Sequence, residues 1–141
     1  MRFGMRPPSI SIVRFVVIVS IVLTAFHFTD NALSIETYPQ PDWISEAVVW
    51  ISWPIFTALG ITAYVLYSRG REQLGAWFLL AYSYTGLSSL GHFLSGSPDE
   101  FTTRGLISVF MDGAIGAVVL GVAIWAILAH RRQPVPEGGS A

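Results

Sequence analysis

Apolar residues fall in four blocks, each close to the length of about 20 residues that a helix needs to cross the hydrocarbon of a bilayer. The first runs from Ser9 to Phe28, the second from Ala47 to Ser68, the third from Gly75 to Ser95 and the fourth from Leu106 to Ala129. In lipid every backbone N–H and C=O must bond within its own segment, so blocks of this length are helices. No succession of alternating ten-residue segments suggests a barrel. The pattern predicts an all-α integral membrane protein, a four-helix bundle over residues 1–130, with no internal repeat and no second domain. Pro54, inside the second block, removes one helical hydrogen bond and is expected to kink the helix, with Ser52 or Thr57 serving the freed backbone groups. The RRQPVPEGGSA stretch after the fourth block is too polar to fold and reads as a disordered tail over 131–141.

Orientation follows from the arginines. Arg2, Arg6 and Arg14 flank the start of the first block, Arg69 and Arg71 lie between blocks two and three, and Arg131 and Arg132 follow block four. Arg104 alone lies on the other side, among Asp30, Glu36, Asp42, Glu46, Asp99 and Glu100. Both termini are therefore expected on the cytoplasmic side. Arg2 and Arg6 before an apolar run also resemble a secretory signal peptide. Against that, Arg14 interrupts the run and no small-x-small cleavage site follows Phe28 closely, so the first helix is expected to be retained.

Composition narrows the class further. The chain is 52% apolar and 12% charged, whereas soluble domains carry about a quarter charged residues. A formal net charge of −1 argues against a nucleic-acid partner, which needs a basic face. The chain has no cysteine, which removes disulfides, thiolate metal sites and cysteine nucleophiles. All eight basic residues are arginine. That bias, with no retrieval signal, points to a multi-pass protein of a bacterial plasma membrane.

Ionisable residues inside a membrane are costly, so each invites a hypothesis. His27 lies near the outer end of the first helix, followed by Asp30 and Asn31 in HFTDN; His92 lies near the outer end of the third, in SLGHF. Asp112 sits about 9 Å into the fourth helix from the same side, counting 1.5 Å per residue from Leu106. Spacing of i,i+3 and i,i+4 lets His27, Asp30 and Asn31 look one way, as it does Tyr84, Ser88 and His92, with Thr85 and Ser89 beside them, and Ser108 with Asp112. Glu46 stands at the mouth of the second helix, with Trp50 and Trp53 below it. Together these predict a polar pocket walled by tryptophan in the outer leaflet.

Plainer readings stand beside that one. Asp30, Asn31 and Glu46 also suit solvated helix ends, and Trp43, Trp50 and Trp53 an interfacial belt. Ser88 and Ser89 suit bonds between helices, and Gly113, Ala117 and Gly121 form a small-xxx-small ridge for close packing. His27 and His92 are as well placed for a structural hydrogen bond as for ligand or catalytic work. Asp112 needs a partner or a proton, and a histidine paired with it would make an ion pair. His130 is read as a surface residue.

Three chemistries fit the cluster. A histidine and Asp112 could pass a proton as general acid and base. Asp112 and Asp30 could hold a cationic ligand stacked on Trp50, Trp53 and Tyr84. His27, Asp30, His92 and Asp112 also have the atoms for zinc, iron or manganese, although no motif pins them. No cofactor is specified by the sequence, and no phosphate-binding loop, nucleotide fingerprint or Ser-His-Asp elbow occurs.

Four membrane helices, HFTDN at the end of the first, YPQPDW in the acidic loop after it and the proline-containing WPIFTALGITAYVLYSRG of the second resemble the EXPERA-domain membrane proteins, the family of sigma-2 receptor and emopamil-binding type. The His-to-Asp spacing of three is shorter than in that family, and Glu46 lies too near the surface to match its helix-two carboxylate. The resemblance implies a pocket for a sterol-like or amine ligand, with isomerase-type proton transfer, and a role for His27, Asp30 and Asp112.

The leading expectation is thus a small membrane protein that binds a lipid-like or amine molecule in an outer-leaflet pocket. His27 and Asp112 would serve as acid–base residues, with Asp30, Asn31, Trp50, Trp53, Tyr84 and His92 binding the ligand. A metal-binding protein using the His/Asp cluster is the alternative. An accessory subunit with no site, associating through Gly113, Ala117 and Gly121, is the third.

Overall fold

The computed structural model describes residues 5–131, and they form four α-helices: α1 Ile10–Leu33, α2 Glu46–Ser68, α3 Glu72–Ser89 and α4 Thr103–Arg131. Short 3-10 helices at Ile35–Thr37, Leu90–Leu94 and Pro98–Glu100 shape the connections, and no strand occurs among the described residues. The expected disordered tail lies outside the described residues, except for Arg131, which ends α4. Helices α1, α2 and α4 are long and apolar enough to cross a membrane. Helix α3 is shorter and more polar; two of its hydroxyls bond back to the helix, Ser83 donating to the Leu80 carbonyl and Ser88 to the Thr85 carbonyl. In α-helical form it is about 27 Å long at 1.5 Å per residue, close to the hydrocarbon thickness.

Each long helix starts where its sequence provides a cap. Ser9 Oγ accepts the Ile12 N–H and Ser45 Oγ accepts the Val48 N–H, each satisfying a donor that the first helical turn leaves free. The turn between α2 and α3 is made by Gly70 at φ 77°, a conformation that L side chains rarely adopt.

The helices pack in a ring, α1 on α2, α2 on α3, α3 on α4 and α4 on α1. Small residues bring the axes together, as expected where the surroundings are as apolar as the interface. The closest approach is Gly86 of α3 on Gly116 of α4: a Cβ on Gly116 would meet Leu87 N at 2.6 Å and Gly86 C at 2.8 Å. The predicted ridge of Gly113, Ala117 and Gly121 is therefore not the one that closes this interface. Gly113 is buried against Leu90, but Ala117 and Gly121 are exposed and nothing lies within 4 Å of a Cβ on Gly121. Val13, Val17, Ala63, Ala76, Leu79, Tyr82, Val119, Ala123 and Ala126 fill the core.

At the end of the molecule near the termini, Tyr67 donates to the Pro8 carbonyl at 2.8 Å and Trp125 Nε1 to the Arg6 carbonyl at 2.8 Å. His130 is not the free surface residue the sequence suggests, because its Nε2 lies 3.1 Å from Glu72 of α3 and its Nδ1 donates to the Ala126 carbonyl. At the opposite end α2 is loosely held. Gly60, Ala63 and Tyr67 are buried, whereas between Glu46 and Leu59 only Val49 is. Helix α2 runs through Pro54 without a break, and the Thr57 hydroxyl expected to serve the backbone there has no partner. A space opens beside this half of α2, and the candidate site occupies it.

Candidate ligand site

Helix α1 continues past the predicted Phe28 to Leu33, so His27, Asp30 and Asn31 sit in its last turns and share one face. All three are buried, which overturns the solvated-end reading of Asp30 and Asn31. The chain then turns through Ile35–Thr37 and folds Tyr38 back over that face, buried at 4% exposure. His92 arrives from the 3-10 turn after α3, and Ser108 from the second turn of α4. The rings of His27, Tyr38 and His92 meet edge to face or tilted, with centroids 5.2–5.8 Å apart.

Hydrogen bonds fix the protonation pattern. The Pro39 carbonyl can only accept, so His92 carries its proton on Nδ1 and donates it there at 2.8 Å. His92 Nε2 is then an acceptor, and Asn31 Nδ2 donates to it at 3.3 Å. That sets the Asn31 amide and leaves its Oδ1 buried without a partner. Likewise Gln40 Nε2 donates to the Ile44 carbonyl at 3.5 Å, and Gln40 Oε1 is left unpaired.

A second set of bonds runs toward the surface. Tyr38 donates to Asp30 Oδ2 at 2.5 Å, and its oxygen lies 2.7 Å from Ser108 Oγ. Ser108 Oγ lies 3.2 Å from His27 Nδ1 and 2.9 Å from the Gly105 carbonyl. Arg104 completes the line, with its Nε 2.6 Å from Asp30 Oδ1 and a second nitrogen donating to Ser34 Oγ at 3.2 Å. Arg104 was the one basic residue on the acidic side of the sequence, and that misplaced charge was the available signal for this pairing. Burial, and then the hydrogen bond to Asp30, push the Tyr38 phenol above the ordinary tyrosine range.

A cavity of about 390 Å³ opens between α1, α2 and α3 at this end. His27, Asn31, Gln40, Thr85, Ser88 and His92 give it a polar wall, while Phe28, Val48 and Phe56 give it an apolar one. Trp43, Tyr84 and Leu94 stand at its rim, 71%, 63% and 92% exposed. Thr85 Oγ1 adds a third buried, unpaired oxygen to those of Asn31 and Gln40. Asn31 and Gln40 thus each leave an acceptor unpaired, and Thr85 leaves a hydroxyl that can accept or donate.

Of the predicted site residues, His27, Asn31, Tyr84 and His92 line the cavity, Asp30 joins them only through Tyr38 and Ser108, and three others lie outside. Trp50 turns away to donate to Glu46 Oε1 at 3.1 Å on the exposed side of α2. Trp53 does not line the cavity, and its Nε1 has no partner. Trp43, assigned to the interfacial belt from sequence, stands exposed at the rim, and the aromatic wall comes from Phe28 and Phe56.

Asp112 is fully buried and lies outside the cavity; neither carboxylate oxygen has a hydrogen-bond partner, so neither histidine pairs with it. Ser89, beside it, turns its hydroxyl to the Gly86 carbonyl at 2.5 Å. The four residues of the metal alternative do not converge, because Asp30 is held by Arg104 and Tyr38 while Asp112 stands apart. Among the described residues no three His, Asp or Glu side chains are placed to share an ion. No family model, curated protein or solved structure matches this chain.

Proposed function

We propose that this chain is a four-helix integral membrane protein with both termini cytoplasmic. In this reading it binds a small amphiphile in the cavity at the outer end of α1, α2 and α3. The ligand has an apolar body and an O–H or N–H donor, as a lipid-like alcohol or an amine does. The observation that carries the reading is that three residues lining the cavity, Asn31, Gln40 and Thr85, each hold a buried oxygen with no hydrogen-bond partner. A buried polar atom left unpaired costs about 1–3 kcal/mol, and a ligand donor would recover it. Phe28, Val48 and Phe56 would take the apolar body. HFTDN and YPQPDW both contribute to this site, and on that ground we propose a kinship with the EXPERA proteins as well.

The test is thermal unfolding of the full chain in lipid nanodiscs with a long-chain alcohol, an amine of matched length and the corresponding alkane. The alcohol and the amine should raise the melting temperature and the alkane should not. A saturating ligand at 100 times its Kd contributes about 2.7 kcal/mol. Equal response to all three, or none to any, would overturn the reading. Topology has its own test, since the chain has no cysteine to interfere. Ser97→Cys should react with a membrane-impermeant maleimide on intact cells, and Arg69→Cys only after permeabilisation. The reverse pattern would invert the orientation.

A further inference from the structure

His27 sits where the two hydrogen-bonded systems of the site meet. Its ring lines the cavity, its Nδ1 faces Ser108, and Nε2 has no hydrogen-bond partner among the described residues. From Ser108 the bonds continue to Tyr38, Asp30 and Arg104 without a gap. The last of these is 65% exposed, whereas Asp30 is 5% exposed. A line of hydroxyls thus joins a buried imidazole to a carboxylate beside open solvent.

The sense of the line is set at its far end. Arg104 is always cationic and donates to Asp30, so Asp30 serves as an acceptor. At 2.5 Å from it, the single Tyr38 proton belongs in that bond. The Ser108 proton has two acceptors in reach, Tyr38 Oη at 2.7 Å and the Gly105 carbonyl at 2.9 Å, and the shorter contact draws it, since two oxygens this close repel without a proton between them. Ser108 Oγ, its proton given away, must receive from His27, which places a proton on Nδ1 and the lone pair on Nε2. Every donor in the line points from cavity to surface.

We propose that His27, Ser108, Tyr38 and Asp30 form a one-directional proton relay that makes His27 the acid–base residue of the cavity. A proton leaving the ammonium N–H of an amine ligand is taken at His27 Nε2, and the bonding pair stays on nitrogen as the neutral amine. The Nδ1 proton passes to Ser108 Oγ, the Ser108 proton to Tyr38 Oη, and the Tyr38 proton to Asp30 Oδ2. The net result is one proton moved from ligand to Asp30, with His27 left neutral in its other tautomer. Water at the exposed Arg104 end removes that proton, and the reverse sequence delivers one. No step needs a co-reactant beyond the ligand and water.

The groups facing His27 allow this. Ser108 of α4, Tyr38 of the first connection and His92 after α3 touch its ring or bond to it, and Phe28 packs against it. No acidic side chain is hydrogen-bonded to the ring among the described residues, so the compensating charge is Asp30, reached only through the hydroxyls. Ser108, Tyr38 and Asp30 are positioning residues; His27 is the group that would touch the ligand.

The proposal rests on the cavity being a ligand site, so its test reads the relay first without ligand. The full chain, labelled with ¹⁵N-histidine and held in nanodiscs, is observed by NMR at neutral pH, with His27→Gln identifying the His27 signals. The expected result is one tautomer, protonated on Nδ1 and bare on Nε2. Tyr38→Phe should turn this into a mixture, and Ser108→Ala, a smaller change, should do the same if Tyr38→Phe does not fold. Adding the long-chain amine should then shift the Nε2 signal in the wild type.

A wild-type His27 protonated on Nε2, or a Tyr38→Phe spectrum identical to wild type, would overturn the relay whatever the cavity binds. A correct tautomer with no amine effect would overturn the ligand reading and, with it, the acid–base role of His27.

Discussion

Tyr38 places its hydroxyl 2.5 Å from Asp30 Oδ2, closing a loop residue down onto the helix that precedes it. The bond covers a carboxylate that would otherwise face the end of the bundle, and it holds the YPQPDW turn against α1. Removing one partner leaves the other buried and short of a bond, which costs about 1–3 kcal/mol. Tyr38→Phe keeps the ring packed on His92 and Phe101, so its cost should fall in that range, measured by denaturant titration in micelles.

The same bond carries a pH signature. The Tyr38 phenol is raised above its ordinary value, so the folded state keeps a proton that the unfolded chain releases. The resulting stability is fully present below the unfolded tyrosine value of about 10 and is lost as pH rises beyond it. Alkaline unfolding of Tyr38→Phe should therefore be less steep than that of the wild type.

Thr85 presents an opposite case. Its hydroxyl is buried without a partner on the wall of the cavity. Thr85→Val has nearly the same shape and no polar atom to strand. The empty protein should gain up to about 1–3 kcal/mol, while the rise in melting temperature given by a long-chain alcohol should shrink. A gain in stability coupled to a loss of ligand response is expected where a polar group serves binding rather than folding.

Asp112 behaves differently from its reading in the sequence. It lies outside the cavity and neither of its oxygens has a partner. Asp112→Asn should therefore leave ligand retention intact and leave stability unchanged or improved, because it removes a group whose charged form is costly in an apolar interior. Loss of ligand on this substitution alone, with the melting temperature unchanged, would return Asp112 to the site.

Depth was legible in the sequence and azimuth was not. Hydrophobic blocks order residues along each helix, and they place His27, His92 and Asp112 at similar depth with Asn31 just above; the structure brings His27, His92 and Asn31 into contact and leaves Asp112 apart. The blocks say little about which way a side chain points, because lipid-facing and core-facing surfaces of such helices are equally apolar. Trp50 left the predicted wall for that reason, facing outward beside Glu46, while the loop carries Trp43 to the exposed rim. Ser108 was legible only as a neighbour of Asp112 and Tyr38 only within YPQPDW; their meeting was not, since a 3-10 turn after α1 brings one back and α4 supplies the other. Pairing by charge was more readable, as Arg104 had only acidic residues on its own side of the chain.

Azimuth also decides the fate of the two glycines of α4. Gly116 faces Gly86, where a Cβ would come within 2.8 Å of backbone atoms of α3. Backbone cannot swing aside as a side chain does, so the helices would have to part. Gly116→Ala should cost about 1–3 kcal/mol, despite a gain of up to about 1 kcal/mol in helix propensity. Gly121 faces open space, and Gly121→Ala should keep that gain as added stability. If Ala117 and Gly121 instead meet a second copy or another subunit in the membrane, Gly121→Leu would disrupt that association without unfolding the chain. Native mass spectrometry of wild type beside Gly121→Leu reads the difference: an oligomer lost only in the variant assigns the ridge to association, and one retained in both assigns it to lipid.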